Sequence, residues 1–133
     1  TVQVGLNSLR LSKAHLLGKE GEGYKIALSN LECGRLGIAA QALGIAKRAL
    51  DLSVVYAKER WSFNKPLIKH QAITFKLADM ATEVEAAELL TFQAAYLKNN
   101  GKKLTSEGAF AKYFASFLNS KLRYNAPAGG TTG

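Results

Sequence analysis

The feature that most constrains the fold is a proline-free run from Glu22 to about Lys58, rich in Ala, Leu and Ile. Nothing in it breaks a helix outright. At about 1.5 Å per residue it spans roughly 55 Å as one continuous helix. Between Gly37 and Ala46 it is apolar almost all round, which requires burial on several sides. A flexible junction of Gly18, Gly21 and Gly23 precedes it. The stretch Trp61 to Pro66 ends the pattern, and Pro66 suits the first turn of a new helix.

A second helix is expected from about Leu67 to Asn99. Ile73, Leu77, Met80, Val84, Ala87 and Leu90 recur at three- and four-residue steps as an amphipathic stripe. Asn99-Asn100-Gly101 supplies the stop. Thr105 or Ser106, with Glu107 in the first turn, starts a third helix carrying Phe110, Phe114, Phe117 and Leu118 on one face. Short links make neighbouring helices antiparallel. The expected fold class is therefore all-α, an up-and-down bundle. Three helices are too few to cover the first, so either a fourth helix or another subunit completes the cover. Residues 1–17 read differently. Val2 and Val4 share one parity, as do Leu9 and Leu11, the pattern of a short β segment whose partners are missing. From Asn125 the composition turns to Pro, Gly and Thr, a loose tail over 125–133. The expected organisation is thus 1–17 strand segment, 18–124 helical bundle and 125–133 tail. No internal repeat is visible.

Composition excludes several classes. With 133 residues, 47% hydrophobic and only two prolines, the chain is a packed domain and not a mainly disordered one. The single cysteine, Cys33, excludes an internal disulfide framework and a cysteine-cluster zinc site. No charge-free apolar run reaches the roughly 18 residues of a membrane span, and Thr1 to Arg10 lacks a secretory pattern. The net charge of +8 favours acidic partners without choosing among them. A nucleic-acid-binding domain has only this charge in its favour, because the basic residues form no continuous stripe and no recognised motif accompanies them.

Two stretches carry candidate chemistry. In Leu31 to Ala40, Arg35 follows Glu32 by three residues, on the same helical face. Gly34, Gly37 and Gly44 each cost about 1 kcal/mol against Ala inside a helix. A close helix crossing beside an intrahelical Glu32–Arg35 pair accounts for them, and so does a ligand lying against the backbone. Between the first two helices lies Lys58-Glu59-Arg60-Trp61-Ser62-Phe63-Asn64-Lys65-Pro66, followed by Lys69-His70-Gln71. Arg60, Lys65, Lys69 and His70 can meet phosphate oxygens. Ser62 and Gln71 can hydrogen-bond, and Trp61 or Phe63 can stack on a planar ring. The combination suits a nucleotide; the alternative is a solvated turn with an aromatic plug. There is no P-loop, no dinucleotide G-x-G-x-x-G in its strand-to-helix setting and no H-E-x-x-H. His15 and His70 have no metal-spaced companions. Cys33 reads as a buried small residue, and Glu83, Glu85 and Glu88 read as a solvated helix face.

Four stretches together resemble the acyl-CoA dehydrogenase family, in particular its short-chain and butyryl-type members. They are H-L-L-G-K-E-G-E-G-Y from His15, G-R-L-G-I-A-A-Q-A-L-G-I-A from Gly34, Y-A-K-E-R-W-S-F-N-K-P from Tyr56, and H-Q-A-I-T-F-K-L-A-D-M from His70. The resemblance runs over roughly residues 5–118. It implies the end of a middle β domain followed by the first helices of a C-terminal four-helix bundle. It also implies a flavoprotein of fatty acid metabolism, usually a homotetramer, in the bacterial cytoplasm or mitochondrial matrix and not secreted. Such an enzyme binds FAD between domains and subunits. It removes hydrogens from the α and β carbons of an acyl-CoA thioester and passes electrons to an electron-transfer flavoprotein.

Carried over by position, Arg60, Ser62 and Phe63 match the loop that contacts the pyrophosphate and adenosine half of FAD across the dimer. His70 and Gln71 match a second FAD contact. Arg35 matches an arginine near the CoA nucleotide, and Glu32 stands where the family usually has Asp, which keeps the charge and lengthens the reach. Asn64 replaces a usual Gly and tolerates a left-handed turn. The reaction needs a carboxylate base at the substrate α carbon while hydride leaves the β carbon. In most of the family that glutamate lies downstream in a Y-E-G-T-like segment, absent here. In the isovaleryl and long-chain branches it immediately precedes the matching arginine, where this chain has Gly34. No catalytic residue is therefore assigned, and the chain alone is expected to be inactive. Gly129-Gly130 only echoes the family's G-G-x-G-Y turn. The competing reading is a non-enzymatic helical module that keeps these helices for self-association.

Overall fold

The structure, a computed structural model, describes residues 2–125. Helix α1 runs Gly23–Glu59, strands β1 and β2 are Trp61–Ser62 and Lys65–Pro66, and helices α2 and α3 are Gln71–Asn99 and Thr105–Asn125. One-turn 3-10 helices occupy Lys13–His15 and Leu67–Lys69. The all-α class holds, and the long first helix is continuous as its composition requires. The chain divides into two compact units, Thr1–Leu31 and Glu32–Gly133.

In the first unit, residues 2–12 form no strand. The β segment expected within 1–17 has no partner strand among the described residues. A strand is held by a ladder, and among the described residues the one ladder pairs β1 with β2. Val2, Val4, Leu6, Leu9 and Leu11 all stay exposed, and Ser8 at φ 52° interrupts the extended run. Before α1, the Glu22 carboxylate accepts the Lys19 backbone N–H at 2.9 Å, while the Glu22 carbonyl accepts the first helical bond from Ile26. Gly18 has φ +73°, and a Cβ there would lie 2.9 Å from both Glu22 Oε2 and Ile26 Cδ1. A side chain at this position is excluded twice, by backbone conformation and by space.

In the second unit two apolar clusters set the helix directions. One joins Leu43 and Ala46 of α1, Met80, Val84 and Ala87 of α2, and Leu118 and Leu122 of α3. The other joins Ala39, Ala42, Ala94, Leu104, Ala111 and Ala115. Moving from the first cluster to the second runs backward along α1, forward along α2 and backward along α3. The three helices therefore alternate up, down, up. The second cluster is alanine at five of its six positions, so the backbones approach closely there. The expected α2 stripe is buried or half-buried from Ile73 to Leu90, and from Leu77 onward it packs on these clusters.

Helix α2 ends in a Schellman arrangement. Lys102 N–H donates to Leu97 O, Gly101 N–H donates to Lys98 O, and Gly101 has φ +66°. Leu67–Lys69 forms a separate 3-10 turn, so α2 starts at Gln71 rather than at Leu67. Pro66 closes the ladder instead of opening the helix. On α3, Phe114 and Leu118 face the core, but Phe110 and Phe117 are exposed. The inward stripe is instead Ala111, Phe114, Ala115, Leu118 and Leu122. Two of the inward positions are taken by alanines, which join the second cluster. The tail expected from Asn125 lies outside the described residues, apart from Asn125 itself, the last residue of α3.

Two ion pairs tie the flanking helices to α2. Lys47 of α1 donates to both Glu88 oxygens at 2.8 Å, and Lys121 of α3 pairs with Glu83. Two of the three glutamates read as a solvated face are thus partnered. The outer side of α1 keeps Ile38, Ile45 and Leu52 exposed at seven-residue spacing, with Val55 beside them. Cys33, expected to be buried, is exposed. Among the described residues no helix is long and apolar enough to cross a membrane.

Candidate functional site

The link between α1 and α2 is a two-residue hairpin. Arg60 N–H still donates to Tyr56 O, closing α1, while Arg60 O accepts the Leu67 N–H at 2.8 Å. Between these bonds Trp61 pairs with Pro66 and Ser62 with Lys65, leaving Phe63 and Asn64 as the turn. Their φ values are +49° and +61°, the sign pattern of a type I′ turn. Asn64 enters this region at small cost. Phe63 does not, and for a bulky residue a positive φ signals stored strain. The sequence reading anticipated the left-handed backbone at Asn64 and missed it at Phe63.

The Phe63 ring is 91% exposed, and Trp61 is 62% exposed. That excludes an aromatic plug. No burial against this chain offsets the cost of that backbone conformation. The Phe63 ring meets His70 edge-on, with centroids 6.3 Å apart and planes at 66°. His70 Nε2 lies 3.0 Å from Ser62 O. A carbonyl only accepts, so Nε2 carries the proton. The His70 carbonyl accepts N–H bonds from Ile73 and Thr74 and begins α2. Thr74 Oγ1 donates to Ile68 O at 2.7 Å and steadies the 3-10 turn.

Ser62, Phe63 and His70 are thus brought together. Arg60 precedes β1 by one residue, and Gln71 is the first residue of α2; both are exposed. The N–H groups at the start of α2 and the Arg60 guanidinium give this end of the link a preference for anions. Exposed flat rings on the hairpin, with a guanidinium just before it and a donor-rich helix start after it, suit a phosphate-bearing nucleotide.

Glu32 and Arg35 are not brought together as a pair. Glu32 Oε1 accepts from Thr105 Oγ1 at 3.1 Å, across to the start of α3. Arg35 is exposed and has no ion-pair partner among the described residues. The intrahelical pair weighed from spacing is therefore not formed. Thr105 is the residue that sequence reasoning missed in this role. It was legible as a helix start, but a contact 73 residues away has no signal in spacing. Among the described residues no three His, Cys, Asp or Glu side chains gather for a metal ion.

The sequence model of the family described as "Acyl-CoA dehydrogenase, C-terminal domain" matches residues 21–124. The chain belongs to the acyl-CoA dehydrogenase family. It is 51% identical over 116 residues to the acyl-CoA dehydrogenase of Bacillus subtilis, covering 87% of this chain and 31% of that protein. It is 53% identical over 117 residues to the mitochondrial short-chain specific acyl-CoA dehydrogenase of Bos taurus, covering 88% and 28%. Its structure is similar to that of butyryl-CoA dehydrogenase from Megasphaera elsdenii, with TM-score 0.80 and 50% identity over 82% of this chain and 28% of that one. The chain spans less than a third of the length of these relatives. The short-chain and butyryl-type resemblance of the four stretches is thereby borne out.

Proposed function

We propose that this chain is C-terminal-domain sequence of an FAD-dependent acyl-CoA dehydrogenase, with residues 18–124 its helical bundle and 1–17 the end of the preceding β domain. The reaction is α,β-dehydrogenation of an acyl-CoA thioester, with electrons leaving to an electron-transfer flavoprotein. Arg60, Ser62, Phe63, His70 and Gln71 contribute to FAD binding; Arg35 contributes to CoA binding directly, and Glu32 does so only through its effect on Arg35. The observation that carries the FAD assignment is the strained, outward Phe63 beside His70 Nε2 clamped on Ser62 O. In this arrangement the ring offers a stacking face, and the start of α2 with Arg60 neutralises phosphate charge. Bound FAD supplies the hydride acceptor. This chain's residues bind and orient it and hold no base for the α proton, so the chain alone lacks dehydrogenase activity.

Self-association belongs to the same proposal. Ile38, Ile45 and Leu52 leave an apolar line on α1 that a dimer or tetramer would cover. The same line favours the second reading, a self-associating module without FAD. Size-exclusion chromatography with light scattering and a visible spectrum on one peak separates the two. A flavin-coloured oligomer is expected. A colourless oligomer supports the second reading, and a colourless monomer overturns both.

A further inference from the structure

Glu and Arg three residues apart on a helix ordinarily attract one another. Here Glu32 turns away. It lies on the side of α1 that continues through Leu36, Ala39 and Leu43 to the core, and it is half-buried, whereas Arg35 is exposed. Its Oε1 accepts a hydrogen bond from the Thr105 hydroxyl at 3.1 Å. Thr105 opens α3, so the carboxylate also sits at a helix end whose free N–H groups favour negative charge. Two attractions thus compete for one carboxylate, Arg35 within α1 and the start of α3 across from it.

We infer that Thr105 is a positioning residue, which holds Glu32 toward α3 and so keeps the Arg35 guanidinium free for a phosphate of the CoA nucleotide. This rests on the CoA reading of Arg35 and adds the residue that regulates its availability. Without the Thr105 hydroxyl, Glu32 swings to Arg35, and the ligand phosphate must displace a carboxylate before it binds.

The test is calorimetric titration of CoA into the 133-residue chain and its variants, with a thermal melt of each sample. Thr105→Val keeps the side-chain shape and removes the donor. It is expected to weaken CoA binding about two- to fivefold, the worth of one exposed ion pair. Thr105→Ser should retain wild-type affinity. Adding Glu32→Gln to Thr105→Val should restore it, because the competing charge is gone; a purely structural role for Thr105 would not be rescued this way. Unchanged affinity in Thr105→Val, or no rescue by Glu32→Gln, overturns the inference while Arg35-dependent binding stands. If the wild type fails to bind CoA, or Arg35→Ala leaves binding unchanged, the CoA reading falls and the inference with it.

Discussion

His70 Nε2 donates to the carbonyl oxygen of Ser62 at 3.0 Å, so the residue that begins α2 also fixes the strand leaving α1. A ladder of two residue pairs cannot hold itself in water. This side-chain bond supplies much of the missing constraint. His70→Ala is expected to cost about 1 kcal/mol, the net worth of one such bond, and to abolish flavin retention. His70→Asn, which keeps a donor, should recover part of both. Thermal melts and the visible spectrum of the purified peak measure the two effects.

Phe63 should show stability and binding moving in opposite directions. Its φ of +49° costs about 1–2 kcal/mol for a residue with a Cβ, and its ring is too exposed to recover that by burial. Phe63→Gly is therefore expected to raise stability by up to about 1 kcal/mol while weakening flavin binding. Urea unfolding monitored by circular dichroism, alongside a flavin titration, reads both. A variant that lost stability would show that the ring packs against this chain after all.

These two residues mark where sequence reading stopped. Helix α2 was legible because its stripe from Ile73 to Leu90 is a local period that burial simply enforces. The basic and aromatic content of Arg60 to Gln71 was legible as a nucleotide-like set. What spacing does not carry is competition between neighbours. Phe110 and Phe117 lie at helical steps from Phe114, yet Ala111 and Ala115 take the inner positions because the second core cluster is built for close approach. Val2 and Val4 alternate like a strand without a partner to make one. Glu32 reached past Arg35 to Thr105 because the bundle's topology placed a helix start there.

The core itself offers a sharp contrast. Among the described residues Met80 and Leu118 are the largest fully buried side chains, and both belong to the cluster joining all three helices. Leu118→Ala should destabilise by about 2–5 kcal/mol through lost burial and a residual cavity. Ile45→Glu, on the exposed line of α1, should leave the stability of a monomer within about 0.5 kcal/mol. It should instead shift an oligomer toward monomer in light scattering. Loss of folding in Ile45→Glu at all concentrations would place that side chain inside the protomer.

Lys47 and Lys121 give the fold an alkaline boundary. Hydrogen bonds to Glu88 and Glu83 raise both lysines above their ordinary 10.5, against a smaller desolvation effect that lowers them. A lysine with a higher pKa in the folded than in the unfolded chain releases its proton later when folded. Its stabilisation is therefore complete below about pH 10.5 and is lost as pH rises through the folded-state value. Lys47 is exposed and Lys121 partly so, so the effect is screened, and raising the salt concentration should flatten it. Melting temperatures from pH 8 to 12 should fall more steeply at the alkaline end for wild type than for Lys47→Met/Lys121→Met. Parallel curves would mean that the two pairs add nothing to folding, and that the two apolar clusters hold α1 and α3 to α2 without them.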